Sequence, residues 1–147
     1  MTNTRIDFYK TSPEALKAMM SVEKYVNSSS LDKLLLELVK LRVSQINGCT
    51  FCVDMHCADA LKAGESQRRL NTVAVWREAP FFSERERAAL AWAEAVTLLS
   101  TTHVPDEVYQ EMRAHFGEHE AVDLTMAIIA INGWNRLAVS FRKLPLE

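Results

Sequence analysis

Only four glycines and four prolines interrupt the 147 residues of this chain. Turn-rich β architectures use more of both, so the scarcity predicts a helical protein with few, short connections. Apolar residues, 48% of the chain, recur at helical spacing. Ser12-Pro13 reads as a helix start, with Ser as N-cap and Pro at the first position. Leu16, Met19, Met20 and Val26 give that helix an apolar stripe. Asn27-Ser28-Ser29-Ser30 is a break, with Ser30 placed to cap a second helix through Leu31, Leu34, Leu35, Leu38, Leu41 and Ile46. Asn47-Gly48 ends it with a left-handed Gly.

A third helix is predicted from about Cys49 to Ala63, stopped by Gly64. Leu70, Val73, Ala74 and Trp76 suggest a short fourth, and Ser83 with Glu86 forms a capping box for a fifth that runs through Leu99. Pro105 starts a sixth, and Gly117 separates it from a long seventh, about Glu120 to Arg142. That last helix is apolar on most sides, the pattern of a buried helix. A chain of this length can hardly bury it on all faces, which points to self-association. The expectation is an all-α single domain over residues 1–147, a bundle of about seven helices that forms a homo-oligomer.

Lys and Arg number 17 against 19 Asp and Glu, so 17 − 19 gives a net charge of −2. The balance argues against disorder and against a nucleic-acid partner, which would show a basic surplus. The longest apolar run, Met126 to Ile131, is far short of a membrane span. Met1 to Asp7 lacks the charged-then-apolar pattern of a signal peptide. A cytoplasmic location is expected, with no membrane partner.

Three cysteines, Cys49, Cys52 and Cys57, fall within one nine-residue window. A secreted disulfide framework spaces even numbers of cysteines across the fold. In a reducing compartment, close cysteines mean redox chemistry, a metal site or coincidence. On a helix, Cys49, Cys52 and His56 fall within about 60° of one another, and Cys52 and His56 are i, i+4 neighbours. Cys49 sits at the helix N-terminus, where the dipole favours a thiolate. Cys57 points off that face and is given no role. Structural zinc takes four ligands, and Cys49, Cys52 and His56 supply three. His103, His115 and His119 read as ordinary polar residues. Glu37 lies twelve residues before Cys49 at the margin of an apolar stripe. It is either a solvated edge residue or a partner that tunes His56 as a base for the Cys52 thiol.

Glu37, eleven residues, then Cys49-x-x-Cys52-x-x-x-His56 resembles the signature of the alkylhydroperoxidase D-like branch of the carboxymuconolactone decarboxylase superfamily. The flanking run Glu37 to Cys49, the stretch His56 to Gly64, Ser83 to Ala95, and Asn132 to Leu137 are similar to the family as well, covering roughly residues 15–142. The resemblance implies an all-α oligomer, often a trimer or hexamer. It implies a thiol peroxidase with no haem, flavin or metal. Cys52 would be the peroxidatic thiol, Cys49 the resolving thiol, His56 the base, and Glu37 the start of a proton relay. A lipoyl or thioredoxin-like protein would return electrons to the Cys49–Cys52 disulfide. The substrate would be a hydroperoxide, and the apolar neighbours Phe51, Val53 and Met55 favour an organic one. One position departs from the pattern: a second His precedes the inner cysteine in the best-studied branch, and here Phe51 stands there. Two other classes remain open: a non-enzymatic redox sensor or interaction protein switched by the disulfide, and a metal-binding module through Cys49, Cys52 and His56.

Overall fold

Helix boundaries in this chain follow local capping chemistry, and the computed structural model describes them over residues 5–145. Residues 1–4, part of the segment read above for a leader pattern, lie outside the described residues. The Asp7 carboxylate accepts the Tyr9 and Lys10 N–H groups and opens α1 (Phe8–Thr11). Pro13 occupies the first position of α2 (Pro13–Asn27), where its missing N–H costs nothing. The Asp32 carboxylate accepts the Leu35 N–H and opens α3 (Lys33–Asn47). Gly48 ends α3 at φ 67°, the left-handed conformation that glycine adopts without strain. Cys49 caps α4 (Thr50–Lys62).

Ser66 caps α5 (Gln67–Thr72), which tightens into a 3₁₀ turn over Val73–Val75. Ser83 and Glu86 form a reciprocal capping box on α6 (Glu84–Thr97). Then come α7 (Leu99–Thr102), α8 (Asp106–His115) and α9 (Glu118–Ser140). Strand is absent among the described residues.

The all-α expectation holds, but nine helices form among the described residues rather than about seven. The additions, α1 and α7, are four-residue turns. The expected fourth helix divides into α5 and the 3₁₀ turn. Asp32, not Ser30, caps α3, because the cap must stand directly before the first free N–H groups. Arg142 takes φ 53° and lies beyond the end of α9.

Helix α3 is the axis of the fold and packs against α4, α6 and α9. It is therefore buried on nearly every side: Leu35, Leu36, Leu38, Val39, Leu41 and Val43 all leave solvent. One apolar cluster joins its Leu35, Val39 and Val43 to Leu124, Ile128 and Ile131 of α9. A second joins Leu38 and Leu41 to Leu70, Val73, Trp76, Phe82 and Leu90. Glu94 pins the second cluster: it accepts Arg42 Nε and Trp76 Nε1, each at 2.9 Å, and Arg77 at 2.6 Å.

Two apolar helices are covered on one side. The stripe of α2 is only partly covered, with Leu16 and Met19 half-buried and Met20 exposed. Helix α9 buries Leu124, Ala127, Ile128, Ala130 and Ile131 but leaves Val122 and Ile129 58% and 51% exposed. Neighbours cover one broad face of α9, and among the described residues nothing covers the other. The approach of α2 is close, since a Cβ on Gly133 would lie 2.7 Å from Met19 Cε. No helix among the described residues is long and apolar enough to cross a membrane.

Candidate active site

Cys49 and Cys52 are joined as a disulfide, with Cα atoms 5.3 Å apart. Gly48 turns the chain so that Cys49 stands just before α4 in extended conformation. Its Sγ reaches over the first turn and accepts the Cys52 N–H at 3.3 Å. The expectation that both cysteines sit on one helical face is modified accordingly: Cys49 precedes the helix, and the capping geometry rather than the helical phase brings the sulfurs together. Both cysteines are buried.

The turn that carries Cys49 is fixed from behind. The Asn47 side-chain amide donates to Asn132 Oδ1 and to Asn135 Oδ1, each at 2.9 Å. Asn135 is buried and donates in turn to Ser44 Oγ at 3.1 Å. The hydroxyl of Ser44 donates to the Lys40 carbonyl. Helix α9 thus holds the last turn of α3 through side-chain amides.

One turn beyond Cys52, His56 Nδ1 lies 2.8 Å from Glu37 Oε2, and both residues are 7% exposed. Of the two readings of Glu37, the structure selects the one in which it faces the cysteine helix. A buried carboxylate is acceptable because this contact satisfies it. The packing of α3 on α4 brings the two residues together.

Cys52, His56 and Glu37 line a cavity of about 680 Å³. Cys49 does not line it. The walls are largely apolar, with Phe8, Leu36, Phe51, Met55 and Trp134. Set into them is the buried Lys40, whose Nζ lies 2.6 Å from Glu23 Oε1, while Trp134 Nε1 donates to Glu23 Oε2 at 3.2 Å. Lys143 stands above the rings of Tyr9 and Phe51, 4.3 and 4.7 Å from their centroids.

Cys57 is free and half-buried, packed on the second cluster away from the cavity. Burial raises the pKa of its thiol, and Asp54 adds to the rise, so it is a poor nucleophile at neutral pH. His103, His115 and His119 do not line the cavity. His115 pairs with Glu111 at 3.4 Å and His119 with Asp123 at 3.3 Å.

The three residues first considered as a metal set do not form one in this state, because the two sulfurs are bonded to each other. Glu37, His56 and Asp59 instead each offer a ligand atom, all within 4.8 Å of one another. Sequence reasoning missed Glu23, Lys40, Asp59, Trp134 and Lys143. Lys40 and Asp59 carried a signal, each standing three residues beyond a candidate, after Glu37 and His56 respectively. Lys143 carried none.

Known proteins place this arrangement. The profile of the Carboxymuconolactone decarboxylase family matches residues 13–95. The uncharacterized protein YdfG of Bacillus subtilis (strain 168) is 45% identical over 136 residues, 92% of each chain. A solved structure from Agrobacterium tumefaciens, of unknown function but put forward as an antioxidant defence protein AhpD, superposes with TM-score 0.96 at 50% identity, over 99% of this chain and 100% of that one. The debrominase Bmp8 shares the fold alone, with TM-score 0.80 at 18% identity over 93% of this chain and 74% of that one. Family match and near-complete superposition agree, and the chain belongs to the carboxymuconolactone decarboxylase family, within its AhpD-like group.

Proposed function

We propose that this protein is a thiol peroxidase that reduces organic hydroperoxides through Cys52 and Cys49. One observation carries the reading: of the two bonded cysteines, Cys52 lines the apolar cavity beside the buried His56–Glu37 pair, and Cys49 does not. A substrate in the cavity meets Cys52 first, and Cys49 is placed to resolve the product.

An ionised Glu37 can only accept, so it holds the proton on His56 Nδ1 and leaves Nε2 bare. In the reduced protein, Nε2 takes the proton from the Cys52 thiol, one helical turn away. The thiolate attacks the terminal oxygen of the hydroperoxide. The O–O bond breaks, Cys52 becomes a sulfenic acid, and the leaving alkoxide takes the proton from His56 to depart as an alcohol. The Cys49 thiol condenses with the sulfenic acid, the disulfide forms, and water leaves. An external dithiol, carried by a lipoyl or thioredoxin-like protein, is oxidised as it restores both thiols. The oxidative half of this cycle uses side chains of this chain alone, and the reductive half draws on the external dithiol. The exposed face of α9 carries assembly into a homo-oligomer, a trimer or hexamer.

The test is intact mass of the reduced protein before and after one equivalent of cumene hydroperoxide, with alkylation and peptide mapping. The expected result is loss of two hydrogens, mapped to Cys49 and Cys52, with Cys57 still alkylated. Turnover with an added dithiol separates a peroxidase from a stoichiometric sensor, which oxidises once and stops. A Cys52→Ser variant that consumes peroxide at the parent rate overturns the assignment.

A further inference from the structure

The cavity carries a charge bias that the redox cycle does not use. Three carboxylates line it against four lysines, so one positive charge is in excess: Glu23 meets Lys40 at 2.6 Å, Asp59 meets Lys62 at 3.9 Å, and Glu37 meets the His56 ring at 2.8 Å. Two further cations line it, Lys33 and Lys143, and neither meets a carboxylate among the described residues. Lys33 stands exposed at the start of α3. Lys143 is half-buried, with its ammonium over the faces of Tyr9 and Phe51. Phe51 is the residue next to Cys52. The surplus positive charge is thus held on the aromatic wall adjoining the reactive thiol.

Cation–π contacts position an ammonium but do not neutralise it. Partly stripped of water and with no counter-charge among the described residues, the ammonium favours an anion that brings apolar surface with it. The walls supply the match, since Phe8, Leu36, Phe51 and Trp134 can cover a hydrocarbon body. A volume of about 680 Å³ lies in the range of sites that enclose small organic ligands.

We propose that the substrate is the hydroperoxide of an apolar carboxylic acid, with its hydrocarbon body in the cavity, its peroxide at Cys52 and its carboxylate on Lys143. One ammonium matches one monoanionic headgroup, and a carboxylate is the monoanion that an otherwise apolar hydroperoxide carries. Lys143 is then a specificity residue that takes no part in the chemical step. The inference rests on the peroxidase reading and narrows its substrate.

The test uses linoleic acid hydroperoxide and its methyl ester, each below its micelle concentration, mixed with pre-reduced protein. Disulfide formation is followed by intact mass at timed quenches. The acid is expected to react roughly tenfold faster than the ester, the scale of one charge-assisted contact. In Lys143→Gln the acid-to-ester ratio falls toward one, and in Lys143→Arg it is kept. Raising ionic strength narrows the ratio in the parent protein only. A ratio of one in the parent, or a ratio that Lys143→Gln leaves unchanged, overturns the inference while the peroxidase reading stands. Absence of Cys49–Cys52 bridging with both compounds and with cumene hydroperoxide overturns the peroxidase reading itself.

Discussion

The contact between Glu37 and His56 fixes which ring nitrogen can act, because the carboxylate accepts and cannot donate. Glu37→Gln removes that certainty, since an amide can present either its oxygen or its NH₂ group to Nδ1 and admits the wrong tautomer. The second-order rate of Cys52 oxidation, read by stopped-flow, is expected to fall about 10–100-fold in Glu37→Gln, the scale of lost outer-sphere orientation. Loss of the proposed base, in His56→Ala, is expected to cost about 10²–10⁴-fold. Cys57→Ser should leave rate and bridge mapping unchanged, since that thiol is held in its protonated form by burial and by Asp54. Spacing alone exposed Cys52 and His56, because i, i+4 positions meet on any helix; it exposed Cys49 too, although the cap and not the helical phase seats that residue. It left Glu37 ambiguous, because a carboxylate beside an apolar stripe faces a neighbour or water according to how α3 and α4 pack. Lys143 was invisible for a stronger reason: it lies beyond the last helix, and only tertiary packing lays it over Phe51.

At the scale of the element, Glu94 shows how one side chain ties three segments. Burial pushes its carboxyl up, but Trp76, Arg77 and Arg42 more than offset this and hold it below the usual carboxylate range. A folded-state pKa below the unfolded one gives stability that is present above the unfolded value and lost as pH falls through the folded value. Glu94→Gln is therefore expected to lose about 1–3 kcal/mol near neutral pH. The variant should also show a weaker decline of stability on the acid side, below about pH 4.5. Urea unfolding at pH 7 and at pH 3 checks both, and an unchanged acid slope would refute the account. Capped elements were the legible ones: the Ser83–Glu86 box and the Gly48 stop stand where the sequence puts them. The four-residue turns α1 and α7 were not, because a single turn leaves no periodicity to read. Which face of α9 is covered was not legible either. Apolar composition says how much surface a helix can bury, while its neighbours decide which face is covered.

The whole chain leaves Val122 and Ile129 in solvent seven residues apart on α9, so they share one face. Burial of two such side chains contributes about 1.5–3 kcal/mol each, and an interface formed by the same patch on both subunits counts each residue twice. The same doubling applies to a defect. Ile129→Lys replaces an exposed apolar side chain with a charge and, across the two-fold of a hexamer, would oppose it with a second copy of that charge. The expected outcome is a parent protein that is multimeric by size-exclusion chromatography with light scattering, and an Ile129→Lys variant of lower mass whose helical circular dichroism is unchanged. The same variant tests whether the cavity is complete within one chain. The bridging rate at Cys52 decides that point. An Ile129→Lys protein that is smaller yet bridges at the parent rate shows that each chain carries a whole site. A monomeric parent shows that the exposed face of α9 serves no self-association, and the oligomer proposal falls with it.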